Sequence, residues 1–288
     1  MRNNVPSNND SLIVAPGAVN AGSPFKKISH ISLLRKCGFA MIAPVMNAPR
    51  LIESWLSAMN GERKPLDFGF YLMDCMEGMK QFPDKYFDLA IVDPPYGIGE
   101  SGTKNHTRGK LARATNYRAF SGEDIEPPGK EYFDELFRVS KNQIIWGANH
   151  FISRFAKDSS CWIVWDKDNG DNDFADCELA WCSFPSAVRR FKYRWAGMLQ
   201  ENMKAKEARI HPTQKPVALY EWVLSRYANK GDKILDTHCG SASSLIACHN
   251  MGFEYVGFEL DEYYYTEANK RLEAVKSQCR LFNFGDIE

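Results

Sequence analysis

Residues Asp93-Pro94-Pro95-Tyr96 close an apolar run, Leu89-Ala90-Ile91-Val92, and their types suit methyl transfer to an exocyclic amine. The lone pair of such an amine is delocalised into its ring. The nitrogen is therefore a poor nucleophile until acceptors take its N–H hydrogens and let it become tetrahedral. The Asp93 carboxylate and the Pro94 carbonyl are suitable acceptors, since a carbonyl in front of a proline meets no competing ladder donor. Tyr96 offers a flat face for a base taken out of its stack. Asp-Pro and Pro-Pro also mark plain turns, so the motif gains its meaning from its surroundings.

A second constellation lies far downstream. Lys233-Ile234-Leu235-Asp236 reads as a strand delivering Thr237-His238-Cys239-Gly240-Ser241-Ala242-Ser243-Ser244 into a helix. A small-residue turn there lets a ligand approach backbone N–H groups and the helix N-terminus. Nineteen residues after Gly240, the strand Tyr255-Val256-Gly257-Phe258 ends in Glu259, placed to hold ribose hydroxyls. An ordinary βαβ unit would also use the glycine; glycine and Glu259 together favour a nucleoside cofactor. No further glycines follow at dinucleotide spacing, and no Gly-Lys-Ser/Thr follows a glycine-rich loop, so NAD is the poorer reading and a P-loop is excluded.

The elements that must position these residues alternate between strand and helix from Phe68 onward. That pattern predicts an α/β fold: a doubly wound, mostly parallel sheet with helices on both faces. Strands are expected at Phe70–Met73, Phe87–Val92, Gln143–Trp146, Trp162–Trp165, Leu179–Ser183, Lys233–Leu235, Tyr255–Phe258 and Arg280–Phe284. Helices are expected at Lys130–Val139, Pro216–Tyr227, Leu245–Met251 and Glu262–Ser277, the second beginning with proline in its first turn. Residues 97–129 are long, polar and basic, and predict a flexible loop overhanging Asp93–Tyr96. Residues 1–64 lack periodic apolar pattern and read as a partly disordered N-terminal extension.

The 288 residues are 44% apolar, enough for a substantial core, and carry zero formal net charge. Zero charge argues against a generic basic nucleic-acid binder, yet the charge is segregated. Lys104, Arg108, Lys110, Arg113 and Arg118 form one basic stretch with His106. Arg189, Arg190, Lys192, Arg194, Lys204, Lys206 and Arg209 form another. Between them lies an acidic run from Asp158 to Glu178. Basic stretches flanking a base-handling motif point to phosphate contact. Tyr193, Arg194 and Trp195 either stack on nucleic acid or pack a small subdomain; Trp146, Trp162, Trp165 and Trp181 are expected in the core or at the site entrance. None of the eight cysteines forms a Cys-x-x-Cys pair, which predicts reduced thiols and no metal. No apolar run reaches the roughly 18 residues that span a bilayer, and no charged start precedes an apolar leader. A cytoplasmic protein without a membrane partner is therefore expected.

In order along the chain, Asp74 to Met79, Pro83-Asp84, Asp93-Pro94-Pro95-Tyr96-Gly97, His211-Pro212-Thr213-Gln214-Lys215-Pro216, Asp236 to Ser243, and Phe258-Glu259-Leu260-Asp261 resemble the amino-methylating (N6-adenine or N4-cytosine) DNA methyltransferases of the beta arrangement. In that arrangement the catalytic motif precedes the cofactor motif. The resemblance runs from about Phe70 to Asn269 and implies a Rossmann-like methyltransferase domain over 65–288. It further implies S-adenosyl-L-methionine as methyl donor and a flipped base in double-stranded DNA as acceptor. Asp93 and the Pro94 carbonyl would bond the amine, with Pro95 shaping the turn and Tyr96 stacking on the base. Glu259, followed by Leu260, would hold the ribose, and Asp74 with Cys75 would lie near the cofactor adenine. Asp236, Cys239, Gly240, Ser241, Thr213 and Lys215 would surround the methionine part. DNA recognition would fall near 97–129 and 186–210, with Lys104, Arg108, Lys110, Arg113, Arg118, Arg189, Arg190 and Arg194 on DNA. A homodimer is compatible with the charge balance.

The aspartate leading the motif leans toward adenine N6 in this family, and serine toward cytosine N4. The alternatives are a cytosine-N4 enzyme, an RNA adenine methyltransferase, or a non-catalytic binder of the same fold. Methylation at cytosine carbon 5 needs a cysteine presented after proline, and the chain contains no Pro-Cys. One departure stands out. Where the family shows Asp-Pro-Phe-x-Gly-Ser-Gly-Thr, this chain has Thr237, His238 and Ala242 in place of proline, phenylalanine and the second glycine. Alanine fits there if the position is helical but is strained if φ is positive.

Overall fold

The protein is described by a computed structural model over residues 65–99, 126–170, 175–196 and 199–282. The expectations for 1–64 and for Lys104, His106, Arg108, Lys110, Arg113 and Arg118 lie outside the described residues. In chain order the elements are β1 (Gly69–Leu72), α1 (Cys75–Met79), β2 (Phe87–Val92), α2 (Lys130–Val139), β3 (Ser140–Trp146), β4 (Cys161–Asp166), β5 (Cys177–Cys182), β6 (Arg189–Lys192), β7 (Trp195–Ala196), β8 (Leu199–Gln200), α3 (Val217–Tyr227), β9 (Lys233–Asp236), α4 (Ser243–Met251), β10 (Glu254–Glu259) and α5 (Glu262–Phe282).

Eight strands form one sheet in the order β1-β10-β9-β2-β3-β5-β4-β6. β1, β10, β9, β2 and β3 are parallel neighbours; β5 runs against β3 and β4, and β6 lies parallel to β4. This is the doubly wound, mostly parallel α/β sheet of the Rossmann-like class that the alternation predicts.

The side-chain period of two divides β2 between two cores. Leu89 and Ile91 face one cluster with Leu219, Val223 and Leu224 of α3 and Leu245 and Ile246 of α4. Ala90 and Val92 face the other with Tyr132, Phe133 and Leu136 of α2. A strand apolar on both faces is what a helix-covered parallel sheet requires. Trp146 and Trp165 are fully buried and Trp181 nearly so, the core placement expected for them.

Two sequence expectations change. Arg280–Phe284 is not a strand through Phe282: α5 continues to that residue. No glycine or proline interrupts Glu262–Phe282, and Tyr264, Ala268 and Leu272 recur at four-residue spacing on its buried side. Pro216 caps α3 from just outside its first turn rather than standing within it. The short α1, the edge strand β6 and the β7–β8 ribbon are too short to show a period in the sequence.

Candidate active site

Parallel strands all end on one edge of the sheet, and the predicted site residues gather there. Along that edge stand Asp74 after β1, Glu259 at the end of β10, Asp236 at the end of β9, Asp93 after β2 and Gly147 after β3. Adjacent strands lie about 4.8 Å apart, so the β10 and β2 ends are separated by roughly 10 Å. Register fixes the row: Leu72 pairs with Glu259, Gly257 with Asp236, and Ala90 with Leu235.

Asp93 sits in a nearly dry network. The Tyr96 hydroxyl donates to its Oδ1 at 2.6 Å and the Lys215 ammonium to its Oδ2 at 2.5 Å. Lys215 Nζ also lies 3.0 Å from the Tyr96 hydroxyl oxygen and 3.1 Å from Glu178 Oε2, while Lys167 Nζ pairs with Glu178 Oε1 at 2.5 Å. The Lys215 side chain is only 3% exposed. Burying an ammonium is costly unless carboxylates surround it, and here two do.

Burial pushes the Asp93 carboxyl above the usual carboxylate range, against the opposing pull of Lys215. Burial alone would raise Glu178 as well, but Lys215 and Lys167 outweigh it and hold that carboxyl at about 2. Burial lowers Lys215, and Asp93 and Glu178 more than restore it. The four groups sum to zero charge in their ionised forms.

Tyr96 is held as tightly. Gly147 has φ 67°, and a Cβ there would overlap the Tyr96 ring. The His150 imidazole stacks on Tyr96 with 5.2 Å between centroids and 16° between planes. Pro94 is buried and Pro95 half-buried in the same turn.

The neighbouring half fits a nucleoside cofactor. Glu259 is 8% exposed; its Oε2 accepts from the Gly240 N–H at 2.8 Å and its Oε1 from the Asp261 N–H at 2.9 Å. These bonds aim a buried carboxylate, and each oxygen keeps capacity for a hydroxyl donor. Burial raises the Glu259 carboxyl, against the backbone donors. Asp236 accepts from the His238 N–H at 3.0 Å and from the Ser244 hydroxyl. Burial is the main cause that lifts its carboxyl to about 7; the Ser244 and His238 donors oppose the rise, and Asp93 and Glu259 add to it. Asp236 thus braces the turn from below.

Arg271 of α5 clamps the same turn from the side, donating to the Ser241 carbonyl at 2.8 Å and Ser243 Oγ at 2.9 Å while pairing with Glu207 at 2.6 Å. Cys239 is buried, its Sγ 3.6 Å from the Asp236 carbonyl oxygen. Gly240 has φ 52°, and the His211 ring lies beside it, 3.7 Å from where a Cβ would stand. Ala242 has φ 57° and is fully buried, the strained alternative for this position.

The remaining predicted residues divide. Asp74 caps α1, its Oδ1 accepting from Met76 N at 2.8 Å and Glu77 N at 3.2 Å, and Cys75 follows it with a thiol pushed up to about 12, mainly by burial. Thr213 Oγ1 lies 3.0 Å from His211 Nδ1, and Leu260 is exposed beside Glu259. Lys215, expected beside the methionine part of a cofactor, donates its ammonium to Asp93. Arg189 and Arg190 are exposed on β6, Arg190 3.9 Å from Asp166. Arg194 pairs with Asp168 at 2.7 Å, as Lys192 does at 2.9 Å. The acidic and basic runs that are segregated in sequence therefore meet along β4 and β6. Trp195 is buried and donates to the Gln214 carbonyl at 2.7 Å, and Tyr193 stacks on Phe191. Of their two readings, packing holds.

Sequence reasoning missed Glu178, Gly147, His150, Arg271 and Tyr132. Glu178 stood in an acidic run, and only strand pairing shows that it points at Lys215. Gly147 had a local signal, a glycine directly after an apolar strand.

A Rossmann-like sheet gathers an acidic-Pro-Pro-Tyr turn and a strand-end glutamate on one edge, the arrangement the sequence resemblance implies for methyl transfer to an amine. Residues 141–270 match the model of a family described as DNA methylase, covering N6 and N4 methylation. M.HinfI, a type II methyltransferase of Haemophilus influenzae, is 27% identical over 263 residues, covering 75% of this chain and 69% of that protein. The crystal structure of the M1.HpyAVI–SAM complex aligns at 24% identity and a TM-score of 0.43, covering 70% of this chain and 98% of that one. Over residues 141–270 the chain is therefore similar to the amino-methylating DNA methyltransferases.

Proposed function

We propose that the protein transfers a methyl group from S-adenosyl-L-methionine to the exocyclic N6 amine of an adenine rotated out of double-stranded DNA. The observation that carries this reading is the half-buried Asp93 carboxylate, fixed by Tyr96 and Lys215 two strands from Glu259. When bound, S-adenosyl-L-methionine supplies a methyl group already activated by its sulfonium. Glu259 would hold ribose hydroxyls, and the Asp236–Ser243 turn, braced by Arg271, would hold the rest.

The chain's own residues then orient the amine. Asp93 and the Pro94 carbonyl accept its two N–H hydrogens and turn the nitrogen lone pair toward the methyl group. The amine so held would take the methyl group, and the sulfonium would serve as the leaving group that keeps the S–C electron pair. The methylated nitrogen is then acidic, and Asp93 is positioned to take its proton, so no strong base is needed. Lys215 keeps the acceptor in place, and Glu178 keeps Lys215 in place. Orientation and exclusion of water carry the rate. Tyr96 supplies the stacking surface. Arg189 and Arg190, with the basic residues of 97–129, supply phosphate contacts.

The leading aspartate favours adenine over cytosine. Two synthetic duplexes test this, one of adenine and thymine only and one of guanine and cytosine only, each incubated with labelled S-adenosyl-L-methionine. Label is expected in the first. Label confined to the second would move the reaction to cytosine N4.

A further inference from the structure

Thr237 and His238, the two residues that depart from the family pattern beside Asp236, are joined to a third group that the sequence did not suggest. The Tyr132 hydroxyl of α2 lies 2.6 Å from Thr237 Oγ1, which lies 2.9 Å from His238 Nδ1. The His238 ring meets the Tyr132 ring edge-on at 5.4 Å. A hydroxyl donates once and can accept twice, so the position of the imidazole proton decides which orders are open. If Nδ1 carried the imidazole proton and donated to Thr237, Thr237 could either donate to Tyr132 or accept from it as well. Either the tyrosine O–H or the threonine O–H would then find no acceptor among the described residues. An unmade buried donor costs about 1–3 kcal/mol. The other order satisfies every group: Tyr132 donates to Thr237, Thr237 donates to Nδ1, and the imidazole proton sits on Nε2.

Nε2 has no hydrogen-bond partner among the described residues, and it is absent from their sealed, unpaired atoms. It is therefore a donor that is not sealed from solvent. Asp74, which follows β1, is near enough to act electrostatically on His238, which follows β9.

We propose that His238 is a cofactor-binding residue, its Nε2–H donating to an acceptor atom of the cofactor's adenine ring. This rests on the methyltransferase reading above. Glu259 is an acceptor and suits ribose hydroxyls, whereas His238 is a donor and suits a ring nitrogen. Thr237 and Tyr132 are positioning residues that fix the tautomer. On this view the two departures from the family pattern act as one unit. An aromatic face gives way to an oriented hydrogen bond.

The test is calorimetric titration of S-adenosylhomocysteine into the wild-type protein and three variants, each checked for folding by thermal unfolding. His238→Phe keeps a ring and loses the donor; its affinity should fall about tenfold, the size of one net hydrogen bond. His238→Asn keeps a donor and loses the ring; it should stay within about threefold of wild type. Thr237→Val removes the tautomer lock and should lie between them. Wild-type affinity in His238→Phe, or equal weakening in His238→Phe and His238→Asn, would overturn the assignment. A wild-type protein that binds no S-adenosylhomocysteine would overturn the cofactor reading and this inference with it.

Discussion

At the scale of single residues, the site turns on how Asp93 is held. Lys215 spans Asp93 and Glu178, so Lys215→Met leaves two carboxylates buried without their shared cation. Breaking such a pair typically costs about 3–5 kcal/mol, and turnover should fall by two orders of magnitude or more. Urea denaturation and initial rates measure the two effects; a variant with wild-type rates would remove Lys215 from the account. Gly147→Ala places a methyl group where the Tyr96 ring lies, at a φ that favours glycine. It should depress transfer while leaving S-adenosylhomocysteine affinity within about twofold, because Gly240 stands two strands away and Glu259 three. Equal loss of both would mean that the damage is general. Asp93, Tyr96 and Glu259 were legible because their chemistry is local to short motifs. Glu178 was not, since its partner Lys215 lies far along the chain and only the fold brings the two together.

Elements tell a similar story with a different limit. The β2 and α2 boundaries follow from period and turn signals, and both match the structure residue for residue. β6 spans four residues with three cations, a pattern that reads as solvated surface. The turn between β9 and α4 raised a conditional reading of Ala242, and its positive φ settles the condition. The left-handed conformation costs a non-glycine residue roughly 1–2 kcal/mol, partly offset by the backbone freedom that glycine would lose. Ala242→Gly should therefore stabilise the fold by up to about 1 kcal/mol, a rise in Tm of roughly 2–4 °C for a domain of this size. A lower Tm would show that the methyl group contributes packing that outweighs the strain. The same turn sets a pH dependence. Burial lowers His238 from 6.5 to about 4, so the unfolded chain takes up this proton at higher pH than the folded chain. Its presence makes stability fall as pH drops from 6.5 toward 4, with no further loss below. Denaturation curves across that range should show His238→Phe gaining on wild type as the pH falls; a constant difference would contradict a buried neutral imidazole.

For the whole molecule, zero net charge conceals a paired surface. Lys192 and Arg194 share Asp168, and both are exposed pairs of the kind worth little to stability. Asp168→Asn should leave Tm nearly unchanged and tighten non-specific DNA binding. It should also steepen the salt dependence by about one to two released counterions. An unchanged salt slope would place this face away from DNA. The class of fold was legible from alternation and motif order, because a doubly wound sheet forces every parallel strand end onto one edge. How charge is distributed over that sheet was not, because pairing across strands decides it. The central claim is that this edge methylates an adenine amine through Asp93. Its most direct test is transfer of tritiated methyl groups from S-adenosyl-L-methionine to unmethylated plasmid DNA. The product is digested to nucleosides, with Asp93→Ala as the control and S-adenosylhomocysteine binding measured on both proteins. The account predicts label in N6-methyldeoxyadenosine for the wild type and none for the variant, with cofactor binding retained in both. Label that persists in Asp93→Ala, or a wild-type protein that binds cofactor and labels no base in DNA, would contradict it.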